Sequence, residues 1–95
     1  MIVLGREKLV KFMGKHAKAR PPIASWLAET ESATWKTPND IKGRYRSADF
    51  LSGNRVIFNI GGNNFRLVVV VRYSGGIVVI DRVGTHADYD KWKLE

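Results

Sequence analysis

Ten residues constrain this fold more than any others. Phe58-Asn59-Ile60 leads into Gly61-Gly62-Asn63-Asn64, and Phe65-Arg66-Leu67 leads out into a second apolar run. Glycine and asparagine tolerate the backbone of a tight reversal, so the segment reads as a β-hairpin. Pairing Ile60 with Phe65 sets Asn59 opposite Arg66, and both side chains leave the same face. Directly opposed antiparallel neighbours have Cβ atoms about 5 Å apart. An arginine held beside an amide on a rigid strand is suited to gripping a phosphate.

A second turn, Ser74-Gly75-Gly76, extends the pattern to three strands, over about 55–60, 65–73 and 77–83. Alternation puts Phe58, Ile60, Phe65, Leu67, Val69 and Val71 on one face, and Arg55, Asn59, Arg66 and Arg72 on the other. Ile57, Val68 and Val70 share that second face. A purely solvated face has no need of them, so either the 36–54 loop or a partner protein is expected to cover it. Arg82 falls on the Arg66 face if the preceding turn has three residues, and on the opposite face if it has two.

Upstream, residues 1–4 read as a short strand, and Leu9, Phe12, Met13 and His16 mark one side of a helix over about 6–19. Arg20-Pro21-Pro22 breaks it and opens a second helix with Ile23, Trp26, Leu27 and Thr30 on a stripe, fading near Thr34-Trp35. Thr37-Pro38-Asn39-Asp40 has the form of a capped helical turn. Residues 44–53 read as loop, with a short extended piece around 47–50. The expected fold class is α+β: an N-terminal strand, two helices, then a mainly antiparallel three-stranded meander with the helices on one face of the sheet. A length of 95 residues suits a single domain spanning 1–95.

Charge narrows the function. Sixteen Lys and Arg oppose nine Asp and Glu, a net +7 that favours a polyanionic partner, nucleic acid above all. Lys36, Lys42, Arg44, Arg46, Arg55, Arg66 and Arg72 fall in one segment against only Asp40 and Asp49. Such clustering indicates a footprint and not a diffuse solubilising charge. The absence of cysteine excludes disulfides and thiolate catalysis, and His16 and His86 lie too far apart in sequence to suggest a histidine-rich metal site. No apolar run reaches the ~18–20 residues of a membrane span, and no signal peptide is evident, so a cytoplasmic location is expected. His16 continues an apolar helical stripe; His86 follows Gly84 and lies three residues from Tyr89, where both can share one side of a helical turn. Imidazole is the side chain best matched to proton transfer near neutral pH, which makes His86 the candidate acid–base group.

The stretch from Phe58 to Val69, followed by Val83-Gly84-Thr85-His86-Ala87-Asp88-Tyr89-Asp90, resembles the HigB toxin family of type II toxin–antitoxin modules. Trp35, Asp40-Ile41-Lys42 and Ser47-Ala48-Asp49 add to the likeness, which covers essentially the whole chain. The resemblance implies a RelE-like fold, cleavage of messenger RNA (usually on the ribosome) and inhibition by a HigA-type helix-turn-helix antitoxin. Enzymes of that class let the RNA's own 2′-hydroxyl attack the neighbouring phosphate, so no cofactor or metal is expected. Arg66 matches the central-strand arginine that holds the phosphate, and His86 falls where the family places a basic catalytic residue, as general acid or base. Tyr89 is the third catalytic candidate, either orienting the scissile phosphate or stacking on a base. Lys42, Arg44, Arg55, Asn59 and Arg82 are candidates for RNA binding, Asn59 chiefly by positioning Arg66. The carboxylates Asp49, Asp81, Asp88 and Asp90 leave the general base open, and Trp92 is read as a packing residue.

A second function class fits the same residues: a non-catalytic RNA- or ribosome-binding module that blocks translation. A DNA-binding module fits less well, because the basic residues fall on strands and loops and no recognition helix is evident.

Overall fold

In the computed structural model, which describes residues 1–94, the hairpin forms in the expected register. Strand β3 (Arg55–Ile60) pairs antiparallel with β4 (Phe65–Arg72), with Ile60 opposite Phe65 and Asn59 opposite Arg66. Gly61 and Gly62 take φ of 62° and 71°, the left-handed region that glycine enters without a Cβ clash.

The sheet is larger than a three-stranded meander. Its order is β1-β5-β4-β3-β2, with β1 spanning Ile2–Leu4, β2 Asp49–Leu51 and β5 Ile77–Thr85. β2 adds to β3 antiparallel, through Phe50 opposite Val56, and β1 adds to β5 parallel, through Val3 opposite Val78. Both are three-residue strands, too short to declare a pairing partner by periodicity. β1 buries Val3 in the core beside Val78, whereas β2 buries none of its three residues and is placed by its ladder to β3.

Helix α1 (Arg6–Lys15) is shorter than the predicted 6–19. His16 leaves helical geometry at φ −128°, ψ 87°, and a 3₁₀ turn over Ala17–Ala19 bridges to α2 (Arg20–Ser32). The departure sets the His16 ring on Phe12, with centroids 4.3 Å apart, and against the edge of Phe65, so tertiary packing overrides local propensity. α3 (Pro38–Arg44) starts at Thr37 as predicted, with Asp40 Oδ2 accepting the backbone N–H groups of Lys36 at 2.8 Å and Thr37 at 3.1 Å.

The helix-covered face is a closed aromatic and aliphatic core. Phe58 is fully buried and meets the rings of Trp26, Trp35 and Tyr45 at centroid distances of 5.4, 6.0 and 5.0 Å. Leu67, Val69, Val71, Val78 and Ile80 complete it, together with Leu9, Ile23 and Ile41 from the helices. Tyr45 keeps its hydroxyl satisfied by donating to Glu29 Oε2 at 2.6 Å.

The helices do not all share that face. A fourth helix, α4 (His86–Lys91), lies across the other side of the sheet with residues 92–94 behind it. Ile57 and Val68 are buried on that side, apart from the helix-covered core, and Ile57 shares a cleft with Tyr89, Trp92 and Leu94 of this C-terminal segment and with Leu51 of β2. The 36–54 stretch contributes to that cover through Leu51, as expected, and the C-terminal segment is the cover that was not foreseen.

Candidate functional site

The β5 residues of the second face are placed there by a single irregularity. A four-residue turn joins Arg72 to Ile77, and regular pairing from there would point Arg82 into the core opposite Leu67. Instead Asp81 is an extra residue: Val69 pairs with Ile80, and Val68 pairs with Arg82. This β-bulge reverses the alternation for the rest of the strand. Arg82 and Gly84 thereby join the Arg66 face, with Gly84 directly opposite Arg66. Neither of the two turn lengths considered from sequence describes this outcome.

β5 runs two residues past the expected 77–83, so Gly84 lies within it, under α4. A Cβ built there would sit 2.7 Å from Trp92 Cζ2 and 2.8 Å from Asp88 Cβ, closer than packed atoms allow. Only glycine lets the C-terminal segment approach so near. Helix α4 is started by a reciprocal cap: Asp88 N–H donates to Thr85 Oγ1 at 3.1 Å, and Thr85 N–H donates to Asp88 Oδ2 at 3.0 Å. The Thr85 backbone bond, with its hydroxyl adding to it, holds the Asp88 carboxyl below the usual carboxylate range. His86 N–H donates to Asn64 O at 3.1 Å, which pins the helix to the hairpin turn.

Arg66 sits beneath this helix. Its guanidinium carbon lies 5.3 Å from the Tyr89 ring centroid, and Nη1 donates to Asn63 O at 2.9 Å and to Phe65 O at 3.3 Å. The residue is only 9% exposed, yet Nε and Nη2 have no hydrogen-bond partner among the described residues and are not sealed from solvent. No carboxylate pairs with it among the described residues. A cation held in this way keeps two donors ready for an incoming anion. Tyr89 continues to Trp92 (centroids 5.9 Å, rings at 78°), and Arg82 lies over Trp92 at 5.4 Å. Leu51, Ile57, Tyr89, Asp90, Trp92 and Leu94 line a cleft of about 330 Å³ on the same face.

The predicted site residues divide between this face and internal contacts. Arg66, Tyr89 and Arg82 gather on it, Arg66 against Tyr89 and Arg82 against Trp92, with the two rings in contact between the two cations. Arg55 shares the face but donates to Leu94 O at 2.6 Å and Ser52 O at 2.9 Å, tying down the C-terminal segment. His86 is exposed on α4, with Nδ1 3.5 Å from Asp90 Oδ1, and no bond or ring contact joins it to Arg66 or Tyr89 among the described residues. Asn59 lies opposite Arg66 but does not position it: its Nδ2 donates to Ser47 O at 3.0 Å and so braces the loop before β2. Lys42 donates to Ala48 O at 2.8 Å. Arg44 pairs with Glu29 of α2 and lies 4.9 Å from the Tyr45 ring centroid, against the helix-covered side. The Tyr45 hydroxyl and Arg44 together lower the Glu29 carboxyl, while burial and that same Glu29 push the Tyr45 phenol up.

Sequence reasoning missed the Asn63 carbonyl that anchors Arg66, the Asp90 partner of His86 and the contact of Trp92 with Arg82. Thr85-His86-Ala87-Asp88 has the spacing of a capping box and is the signal that announces a helix there. Among the described residues no three His, Cys, Asp or Glu side chains are grouped to hold a metal ion, and no helix is long and apolar enough to cross a membrane.

Residues 19–92 fit the family model of a RelE-like toxic component of a toxin–antitoxin system. The match spans more than three quarters of the chain, which therefore belongs to the HigB toxin family. A search of curated proteins finds no match. Membership makes the chain the toxic partner of an antitoxin.

Proposed function

We propose that this toxin is an endoribonuclease that cleaves messenger RNA on the ribosome by metal-free attack of the 2′-hydroxyl on the adjacent phosphate. The observation that carries this reading is Arg66, a cation without a carboxylate partner among the described residues, fixed by Asn63 O with Nε and Nη2 free. Those donors suit the extra negative charge that develops on the phosphorane. Tyr89 lies over the guanidinium and offers a ring for orienting or stacking a nucleotide. His86 on the same helix serves as the proton-transfer group, taking the 2′-hydroxyl proton or donating to the leaving 5′-oxygen. Bond balance is simple: the 2′-oxygen–phosphorus bond forms as the phosphorus–5′-oxygen bond breaks, leaving a 2′,3′-cyclic phosphate and a 5′-hydroxyl. Arg82 and Arg55 extend the basic surface along the strands. The inhibitor is a HigA-type helix-turn-helix antitoxin, and the site of action is the cytoplasm.

Expression without the antitoxin should arrest growth and fragment messenger RNA at ends bearing 2′,3′-cyclic phosphate. Arg66→Ala and His86→Ala should each abolish both effects, and full toxicity in both variants would overturn the assignment. The lack of a direct contact between His86 and Arg66 among the described residues favours a second reading, a module that binds RNA or the ribosome and stalls translation without cleavage. Transcripts that stay intact during arrest would establish it.

A further inference from the structure

The cleft beside Tyr89 combines three kinds of surface. Ile57, Leu51 and Leu94 line it with aliphatic groups, Tyr89 and Trp92 with half-buried rings, and Asp90 with an exposed carboxylate. Its volume of about 330 Å³ has room for a purine. Leu94 is tied in place by Arg55, whose Nη1 donates to Leu94 O at 2.6 Å. Each ring also meets a cation: the Arg66 guanidinium carbon lies 5.3 Å from the Tyr89 centroid, and that of Arg82 lies 5.4 Å from the Trp92 centroid. Asp90 Oδ1 is 3.5 Å from His86 Nδ1, and Oδ2 has no partner among the described residues. Tyr89 thus belongs both to the cleft and to the contact with Arg66, whose Nε and Nη2 are without a hydrogen-bond partner among the described residues.

We propose that this cleft holds a guanine base of the RNA, adjoining a phosphate on Arg66, and that Asp90 is the residue that selects it. Stacking on Tyr89 and Trp92 accepts any base, because every base has a π-face. Selection therefore falls to the polar group at the rim. An ionised carboxylate accepts hydrogen bonds and donates none. Guanine alone among the RNA bases presents two adjacent donors on its Watson–Crick edge, N1–H and the 2-amino group. Adenine and cytosine set one amino group beside a ring nitrogen whose lone pair would face the carboxylate, and uracil sets one N–H between two carbonyls. A protein side chain fits the place less well, since it would fill the aliphatic part and bring no anion to the two open donors of Arg66. The inference rests on the reading of Arg66 as a phosphate grip and extends it to the neighbouring base.

The test titrates the purified toxin with guanosine, inosine and adenosine 5′-monophosphates while NMR follows the Trp92 indole and Ile57 methyl signals. Inosine keeps N1–H but lacks the 2-amino group. Guanosine monophosphate should shift both signals and bind about tenfold or more tightly than either of the others, as expected for a hydrogen bond to a charged acceptor. Asp90→Asn is nearly isosteric at an exposed position, so the fold should persist while the preference for guanine falls to within about twofold. In cells, mapped cut ends should carry guanosine beside the scissile phosphate, a bias that Asp90→Asn removes. Equal affinity for guanosine and inosine monophosphates, no shift at Trp92 and Ile57, or cut ends without a guanosine bias would each overturn the inference. Guanine-selective binding by a toxin that leaves transcripts intact would refute the ribonuclease reading alone.

Discussion

The two faces of one sheet have opposite designs. Beneath α1 and α2, Phe58, Leu67 and Val69 are sealed into a core in which nearly every contact is apolar. On the other side Arg66 and Arg82 lie among Ile57, Val68, Tyr89 and Trp92, and one helix of six residues covers part of the surface. The same strands supply both. The first face is closed by helices that precede β2–β5 in sequence, whereas the second is partly covered by α4 and residues 92–94, which follow them. Substitutions on the core face should therefore act on stability, and those on the other face on activity and on the docking of α4.

The largest effect is expected from Phe58→Ala. Removing a buried ring that meets three others should cost about 3–5 kcal/mol in chemical denaturation. Next comes Arg66→Ala, which should lower the cleavage rate by about 100-fold or more, as expected on removing a preorganised charge-stabilising donor. Its denaturation midpoint should stay close to that of the parent, and a core-sized loss of stability would dissolve the contrast between the faces. Gly84→Ala tests the closure of the second face. The added methyl would collide with Trp92 and Asp88 and should cost about 1–3 kcal/mol, with a change in tryptophan fluorescence as α4 lifts. Unchanged fluorescence would mean that the C-terminal segment does not press on the sheet.

The smallest effect concerns pH. Asp88 has a folded-state pKa below its ordinary value, so the stability it contributes is present above the unfolded pKa and lost as pH falls through the folded one. Acidification from about pH 5 to about pH 3 should loosen α4, seen as a tryptophan fluorescence change that Asp88→Asn largely removes. Because Asp88 is exposed, the effect should be modest.

Much of this was legible in the sequence. The Gly61-Gly62-Asn63-Asn64 turn fixed the register of β3 on β4, and alternation from it sorted Phe58 and Leu67 from Asn59 and Arg66. The stripes of α1 and α2 identified Leu9, Phe12, Ile23 and Trp26 as core. The site was legible only as a set of residue types. Arg44 and Lys42 look like RNA contacts in a charge count, but Glu29 and the Ala48 carbonyl claim them, and a partner remote in sequence leaves no trace in a residue's own neighbourhood.

By itself, then, the sequence determined the local features: the hairpin, the caps, the apolar stripes and the basic charge, each governed by interactions between near neighbours. Tertiary structure decided which strands border which, and that the bulge at Asp81 turns Arg82 and Gly84 toward Arg66. It also decided that α4 folds over that face. These outcomes depend on burial and close packing between segments far apart along the chain, whose free energy exists only once the sheet has assembled.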